Sequence, residues 1–159
     1  NLNGVGDRVS IVPLPLSNKT QLNEMRLTNL DWGGALSTFG ETYDGNGDAI
    51  NQIFGYNIVG VTADSAKEFF SLPQPDFIKI DVDGIEALVL AGGEKILLKA
   101  RSVLVEVNDD FHSQANTCET LLKKHGFILK EKRQSDFEIR SNRSTHMTFN
   151  QIWDRQRQK

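Results

Sequence analysis

The chain has 159 residues, of which 38% are hydrophobic and 25% are charged, and its formal net charge is −3 at pH 7. This size and composition are typical of one folded domain with its own core, and they exclude an intrinsically disordered chain. No stretch reaches the roughly 18 continuous apolar residues that a membrane span needs.

The N-terminal part is predicted to be the less regular half of the domain. Val9–Leu16 is interpreted as an edge strand, because its prolines cannot donate to a sheet ladder. Residues 19–57 are interpreted as an irregular insertion, with one strand at Met25–Leu30 and a Gly-rich, mobile loop over 33–47. A short strand is predicted next, over Tyr56–Thr62.

The rest of the chain alternates strands and helices, which predicts an α/β fold with a parallel sheet. The last two strands have no helix between them and are therefore predicted to pair antiparallel. The predicted elements are a helix over Ser65–Leu72 with Asp64 as its cap, a strand over Phe77–Val82, a helix over Gly84–Leu98 interrupted near Gly92 and Gly93, a strand over Ser102–Asn108, a helix over Thr117–His125 ended by Gly126, and strands over Phe127–Lys132 and Thr145–Trp153.

Polar side chains stand near the carboxyl ends of the two buried strands. Because side chains alternate along a strand, Lys79 and Asp81 share one face of the first strand, and Glu106 and Asn108 share one face of the second. If the strands are parallel neighbours, Lys79 lies beside Glu106 as a buried ion pair that specifies the fold. Asp81 and Asn108 then meet at the sheet edge where open α/β proteins bind ligands.

Two more carboxylates follow the first of these strands. Asp83 and Glu86 have the spacing of a helix capping box, in which Asp83 is the N-cap residue. Capping alone explains both residues. A carboxylate at position 86 is equally well placed to act on a substrate hydroxyl, so both interpretations of Glu86 stay open.

A family resemblance rests on the stretch DFIKIDVDGIE at residues 76–86 and on VLAGG at residues 89–93. These residues resemble the core motif of the FkbM-type S-adenosylmethionine-dependent methyltransferases, which reads IKIDVEG-x-E followed by VL-x-G. Asp83 stands where the family usually has Glu. Weaker matches cover most of the chain: DRV at 7–9 before PLPLS at 13–17, the strand with Glu106, and FNQI at 149–152.

The resemblance implies a Rossmann-like class I methyltransferase sheet, mostly parallel with an antiparallel closing strand pair, in a single domain over residues 1–159. It implies methyl transfer from S-adenosylmethionine to a hydroxyl of a small molecule or a sugar. By this resemblance Leu16 and Ser17 lie beside the cofactor's adenine, and Asp81 lies near both the methyl donor and the acceptor. Asn108 and Glu86 help to hold the acceptor, and no metal site is expected.

The resemblance also implies that two further family strands, with a Gly-rich turn and a ribose-binding acid, belong before residue 1. The chain is therefore expected to be N-terminally incomplete and to bind the cofactor weakly, and its activity by itself stays an open question. Its open sheet edges are expected to allow a homo-oligomer. The alternative is a non-catalytic α/β remnant, or a subunit that a partner completes.

Charge and cysteine content indicate the remaining partners and the compartment. From Asp110 onward the chain has ten basic and six acidic residues, which we interpret as a solvated helix and lysine-bearing edge strands rather than a nucleic-acid surface. The single Cys118 excludes an intramolecular disulfide, and the N-terminus lacks the pattern of a signal peptide. Both features favour the cytoplasm, and no membrane partner is expected.

Overall fold

The computed structural model describes residues 4–32, 34–134 and 147–156, which form two sheets and four helices. The strands are β1 (Gln21–Leu27), β2 (Thr38–Phe39), β3 (Phe54–Gly60), β4 (Phe77–Ile80), β5 (Ser102–Asn108), β6 (Phe127–Arg133) and β7 (Thr148–Arg155), and the helices are α1 (Ala63–Phe69), α2 (Glu86–Ala91), α3 (Glu94–Leu97) and α4 (His112–Lys124). Helices α2 and α4 pack on each other and on strand β5 of the larger sheet.

The larger sheet has the strand order β4-β5-β7-β6. Strands β4 and β5 run parallel, with Lys79 opposite Leu104, while β7 pairs antiparallel with both β5 and β6. The predicted α/β class, the parallel neighbours and the antiparallel closing pair are therefore confirmed. The expectation of a mostly parallel sheet is wrong for the described residues, because β7 runs antiparallel to both of its neighbours, β5 and β6.

The smaller sheet is antiparallel, in the order β2-β1-β3. It is formed largely from the region 19–57, and its long pair joins Gln21 to Gly60 at one end and Leu27 to Phe54 at the other. Strand β1 begins four residues before the predicted Met25–Leu30, and β3 lies two residues before the predicted Tyr56–Thr62. The loop prediction over 33–47 includes Gly33, which is outside the described residues.

The strand predicted over Val9–Leu16 is wrong. Its only strand contact within the described residues is a parallel bridge between Leu16 and Val61. There Val61 N–H donates to the Pro15 carbonyl at 3.0 Å, and Ser17 N–H donates to the Val61 carbonyl at 2.9 Å. Pro13 and Pro15 have no N–H, so this segment cannot extend the ladder further.

The core lies between β5 and the helices α2 and α4. Val103, Val105 and Val107 point from one face of β5 and are at most 1% exposed, and Leu90 of α2 and Leu122 of α4 are fully buried against them. Full burial of one such side chain stabilises the fold by about 1.5–3 kcal/mol. This packing fixes the position of the first turn of α2 and of α4 relative to the strand ends.

Two predicted helix caps are wrong, and each has a structural reason. Thr62, rather than Asp64, caps α1, because its hydroxyl accepts from Ser65 N–H at 2.9 Å. The Asp64 carboxylate instead accepts the backbone N–H groups of Lys95 and Ile96, both at 2.9 Å, and thereby caps α3.

Ile85 occupies the N-cap position of α2, and no side chain caps that helix, so the expected role of Asp83 is also wrong. The predicted interruption at Gly92 and Gly93 is confirmed, because α2 ends and α3 begins there. A Cβ atom on Gly92 would lie 2.1 Å from the carbonyl oxygen of Ser17, so only glycine fits this crossing.

The last elements agree with the prediction apart from their ends. Helix α4 begins at His112, five residues before the predicted start, and ends before Gly126, whose φ of +79° is accessible to glycine. Of the strand predicted over Thr145–Trp153, Thr145 and His146 are outside the described residues. None of the helices formed by the described residues is long and apolar enough to cross a membrane.

Candidate functional site

An open groove of about 780 Å³ follows the whole length of β4, which is an edge strand of the larger sheet. The groove is lined by the chain from Phe77 to Val82 and by the segment that ends in Pro15 and Leu16, among other residues. Most of the lining is apolar. Its charged groups belong to Lys67, Lys79 and Asp81. Such a size is usual for small-molecule sites, which are largely apolar with a few polar groups.

Asp81 follows β4 directly, and its side chain is 47% exposed in this groove. Its carboxylate accepts a hydrogen bond from the ammonium group of Lys79, at 2.6 Å. That bond, together with the charge of Asp81, raises the pKa of Lys79. An exposed pair of this kind contributes little to stability and leaves the carboxylate accessible to a ligand.

The expected buried ion pair between Lys79 and Glu106 is therefore wrong. The Lys79 side chain is 63% exposed, and the strand register sets it opposite Leu104, two residues before Glu106. The charge of Glu106 is the last of the causes that raise the pKa of Lys79. The side chains of Phe77 and Lys79 are both well exposed, so this face of β4 is open instead of covered.

Asn108 ends β5 and is only 5% exposed. Its amide nitrogen donates to the Gly45 carbonyl at 3.2 Å and to Oδ1 of Asn46 at 2.9 Å, and its own Oδ1 accepts from Asp110 N–H at 3.0 Å. These bonds hold a loop over the strand ends, which we call the covering loop (residues 40–48). The hydrogen bonds of Asn108 and Asp81 thus go to different partners.

The turn between β4 and α2 is fixed by contacts from two further segments. Gly84 has a φ of +103°, and a Cβ atom there would lie 2.5 Å from the carbonyl oxygen of Asp44 in the covering loop. The Asp83 carboxylate accepts from Leu36 N–H at 2.7 Å. Glycine is therefore required at position 84 both for its backbone conformation and for the close approach of the loop.

Glu86 is the first residue of α2 and is 5% exposed. One carboxylate oxygen accepts from Gly84 N–H at 3.3 Å, and the other accepts a hydrogen bond from the side-chain amide of Gln114 on α4. Burial raises the pKa of Glu86 to about 7, although these hydrogen bonds act in the opposite direction. Glu86 thus reaches back to the turn, as the second residue of a capping box does, and it is not among the residues that line the groove.

Leu16 and Ser17 have different environments. Leu16 lines the groove together with Asp81, whereas Ser17 is 4% exposed and has its carbonyl group against Gly92. Leu16 and Asp81 are therefore the two predicted cofactor-binding residues that one cavity brings together. An apolar lining that also contains a carboxylate fits a cofactor that has both an aromatic base and a positive charge.

Sequence reasoning missed Gln114 and Tyr43. Gln114, Cys118 and Leu122 follow one another at intervals of four residues and form the buried stripe of α4. A polar residue within this apolar stripe was the feature of the sequence that could have identified Gln114. Tyr43 in the covering loop packs edge-on against Phe111, with ring centroids 5.3 Å apart. Burial raises the pKa of Tyr43, and the charges of Glu41 and Glu86 add to that effect.

The described part of the chain contains no group of three or more His, Cys, Asp or Glu residues that could hold a metal ion. In the comparison with known proteins, the family model of the methyltransferase FkbM domain matches residues 2–131. This range includes Leu16, Asp81, Glu86 and Asn108. No curated protein and no solved structure matches the chain.

Proposed function

This chain belongs to the FkbM methyltransferase family, and we propose from this membership that it transfers a methyl group from S-adenosylmethionine to a hydroxyl oxygen of a small molecule or a sugar. We further propose the Rossmann-like class I sheet of such enzymes as its complete architecture. The order β4-β5-β7-β6, with one parallel pair and an antiparallel closing pair, supports this proposal.

The observation that carries the proposal is the shared groove of Leu16 and Asp81 at the carboxyl end of β4. When bound, S-adenosylmethionine supplies a methyl group that its sulfonium already activates. The protein has to align the methyl donor with the acceptor, and such alignment supplies a large part of the reduction in the activation barrier. Leu16, with Ser17 behind it, provides an apolar surface for the adenine, and Asp81 receives the proton of the acceptor hydroxyl.

Asn108 and Glu86 support the same reaction from positions away from the groove. Asn108 holds the covering loop, which we propose as the part of the chain that contacts the acceptor. Glu86 holds the turn that follows Asp81. Both side chains have their hydrogen bonds engaged with the protein, so we assign them to positioning, and we assign proton transfer to Asp81.

A second candidate is a subunit whose sheet a partner completes, such as a second copy of the chain. It is favoured by one observation: β4 has a neighbour on one side only among the described strands. An unpaired edge beside an apolar groove is a template for strand addition. Sedimentation velocity over a range of concentrations tests this candidate, and a strictly monomeric chain would argue against pairing between copies.

Radiolabelled S-adenosylmethionine with a panel of sugars and small hydroxylated acceptors tests the enzymatic proposal. We expect Asp81→Asn to lower methyl transfer sharply, and Asp31→Asn, the same change at an exposed position outside the groove, to leave it unchanged. Equal turnover in both variants would remove Asp81 from the mechanism.

A further inference from the structure

A polar pair is buried in the contact between the first turns of α2 and α4. Glu86 and Gln114 are 5% and 6% exposed, and the Gln114 amide donates a hydrogen bond to Oε2 of Glu86. Their neighbours along the buried side of α4 are Cys118 and Leu122. A carboxylate in such surroundings is costly unless each oxygen has a donor, so the amide of Gln114 has a specific task.

The other oxygen of Glu86 connects this pair to the candidate site. Oε1 accepts from Gly84 N–H at 3.3 Å, an amide that also donates to the Val82 carbonyl at 2.7 Å, and Gly84 lies three residues after Asp81. The covering loop packs directly on Gly84 through the carbonyl group of Asp44. A continuous series of contacts therefore runs from Gln114 through Glu86 to the backbone that carries Asp81.

We propose that Gln114 is a positioning residue, which acts through Glu86 to hold the turn after β4 and so to orient the Asp81 carboxylate in the groove. This inference rests on the proposed function, because it matters for catalysis only if Asp81 contacts the acceptor. Its structural part, the fixation of the Gly84 amide by the buried pair, is independent of that function.

The other titratable groups near Glu86 do not take over the role of Gln114, which is to act through Glu86 in holding the turn after β4. Tyr43 of the covering loop and Cys118 of α4 both interact electrostatically with Glu86. Burial raises the pKa of Tyr43 above its ordinary value of 10.0 and that of Cys118 to about 12, so both are neutral near pH 7. Among these three side chains, Glu86 is the one that titrates in the neutral range.

An exchange of the two side chains gives a sharp test. In the double variant E86Q/Q114E, the amide introduced at position 86 can accept from Gly84 N–H and donate to the carboxylate introduced at position 114, so both hydrogen bonds persist with their roles reversed. In Q114E alone, two carboxyl groups face each other in the core. They are expected to share a proton at low pH and to repel each other once both ionise.

We expect Q114E to lower kcat/KM for methyl transfer by about tenfold or more, with the loss growing as the pH rises through 7. E86Q/Q114E should recover activity to within about threefold of the wild type, a coupling that double-mutant cycles detect. Q114L, which removes the donor without adding charge, should also lose activity. A double variant no better than Q114E, or a fully active Q114L, would overturn the inference.

Hydrogen exchange at the Gly84 amide separates this inference from the proposed function. Exchange should accelerate about tenfold in Q114L and Q114E and return towards the wild-type rate in the double variant. If the wild type transfers no methyl group to any acceptor but Gly84 follows this order, the proposed function fails and the positioning role of Gln114 stands. Equal Gly84 exchange in all four proteins would refute the positioning role even if methyl transfer is found.

Discussion

The buried carboxyl group of Glu86 makes stability depend on pH in a direction opposite to that of most carboxylates. Burial raises its pKa from the ordinary 4.5 to about 7 in the folded chain. Below pH 4.5 the group is protonated in both states. Between these values the unfolded chain releases the proton that the folded chain keeps, so stability falls as the pH rises, and above about 7 the loss is complete.

The size of this loss follows from the two pKa values. One pKa unit corresponds to about 1.4 kcal/mol, so the difference between 4.5 and about 7 corresponds to about 3 kcal/mol of unfolding free energy. The side chain is only 5% exposed, so solvent screening reduces this figure little. Many domains of this size have a total stability of about 5–15 kcal/mol, which makes the effect readily measurable.

The test compares the wild type with Glu86→Gln, whose amide does not titrate but can accept from Gly84 and donate to Gln114. Urea unfolding between pH 5 and pH 8.5 is followed by the fluorescence of Trp153, which is 2% exposed and reports loss of the core. We expect the variant to gain about 3 kcal/mol relative to the wild type across this range. Glu119→Gln, the same change at an exposed site of α4, should give no such pH-dependent gain.

Parallel stability curves for the wild type and Glu86→Gln would refute the reasoning, because they would mean that Glu86 titrates alike in the folded and unfolded chains. A gain that shrinks as the pH rises from 5 to 8.5 would contradict the sign.

Three further predictions concern the contacts around the groove. Gly92→Ala should lower the unfolding free energy by about 1–3 kcal/mol, because the new Cβ meets the Ser17 carbonyl. Gly93→Ala, whose new Cβ would have its nearest contact at 3.5 Å, should lower it less. Equal urea midpoints for the two variants would contradict this prediction. Asn108→Ala should accelerate hydrogen exchange in the covering loop, which unchanged protection would disprove. Asp64→Ala should cost about 1 kcal/mol through the lost cap of α3, and an unaltered thermal midpoint would exclude that role.

The elements that the sequence predicted well are those with a local signal. β5 lies at the predicted Ser102–Asn108, because a run of apolar residues between turn signals marks a buried strand. The paired glycines at 92 and 93 marked the helix interruption for the same local reason. The family motif at residues 76–86 predicted membership of the FkbM methyltransferase family, and the family match over residues 2–131 confirms that prediction.

The predictions that failed depended on contacts between residues distant in sequence. Asp64 has a good capping side chain, but its carboxylate reaches α3, about 31 residues away, while Thr62 takes the local cap. The register between β4 and β5 put Lys79 opposite Leu104, and spacing within each strand does not determine this offset. The side-chain pattern of β4 likewise did not reveal that one of its faces is open.

The polar residues at the two strand ends now divide by what their hydrogen bonds already do. The amide of Asn108 is engaged with the covering loop and with Asp110, and the carboxylate of Glu86 is engaged with Gly84 and Gln114. Asp81 alone among the three has an exposed carboxylate, whose partner is the still more exposed Lys79. Because binding a substrate hydroxyl requires an acceptor that the fold has not consumed, we propose Asp81 as the group through which this site acts.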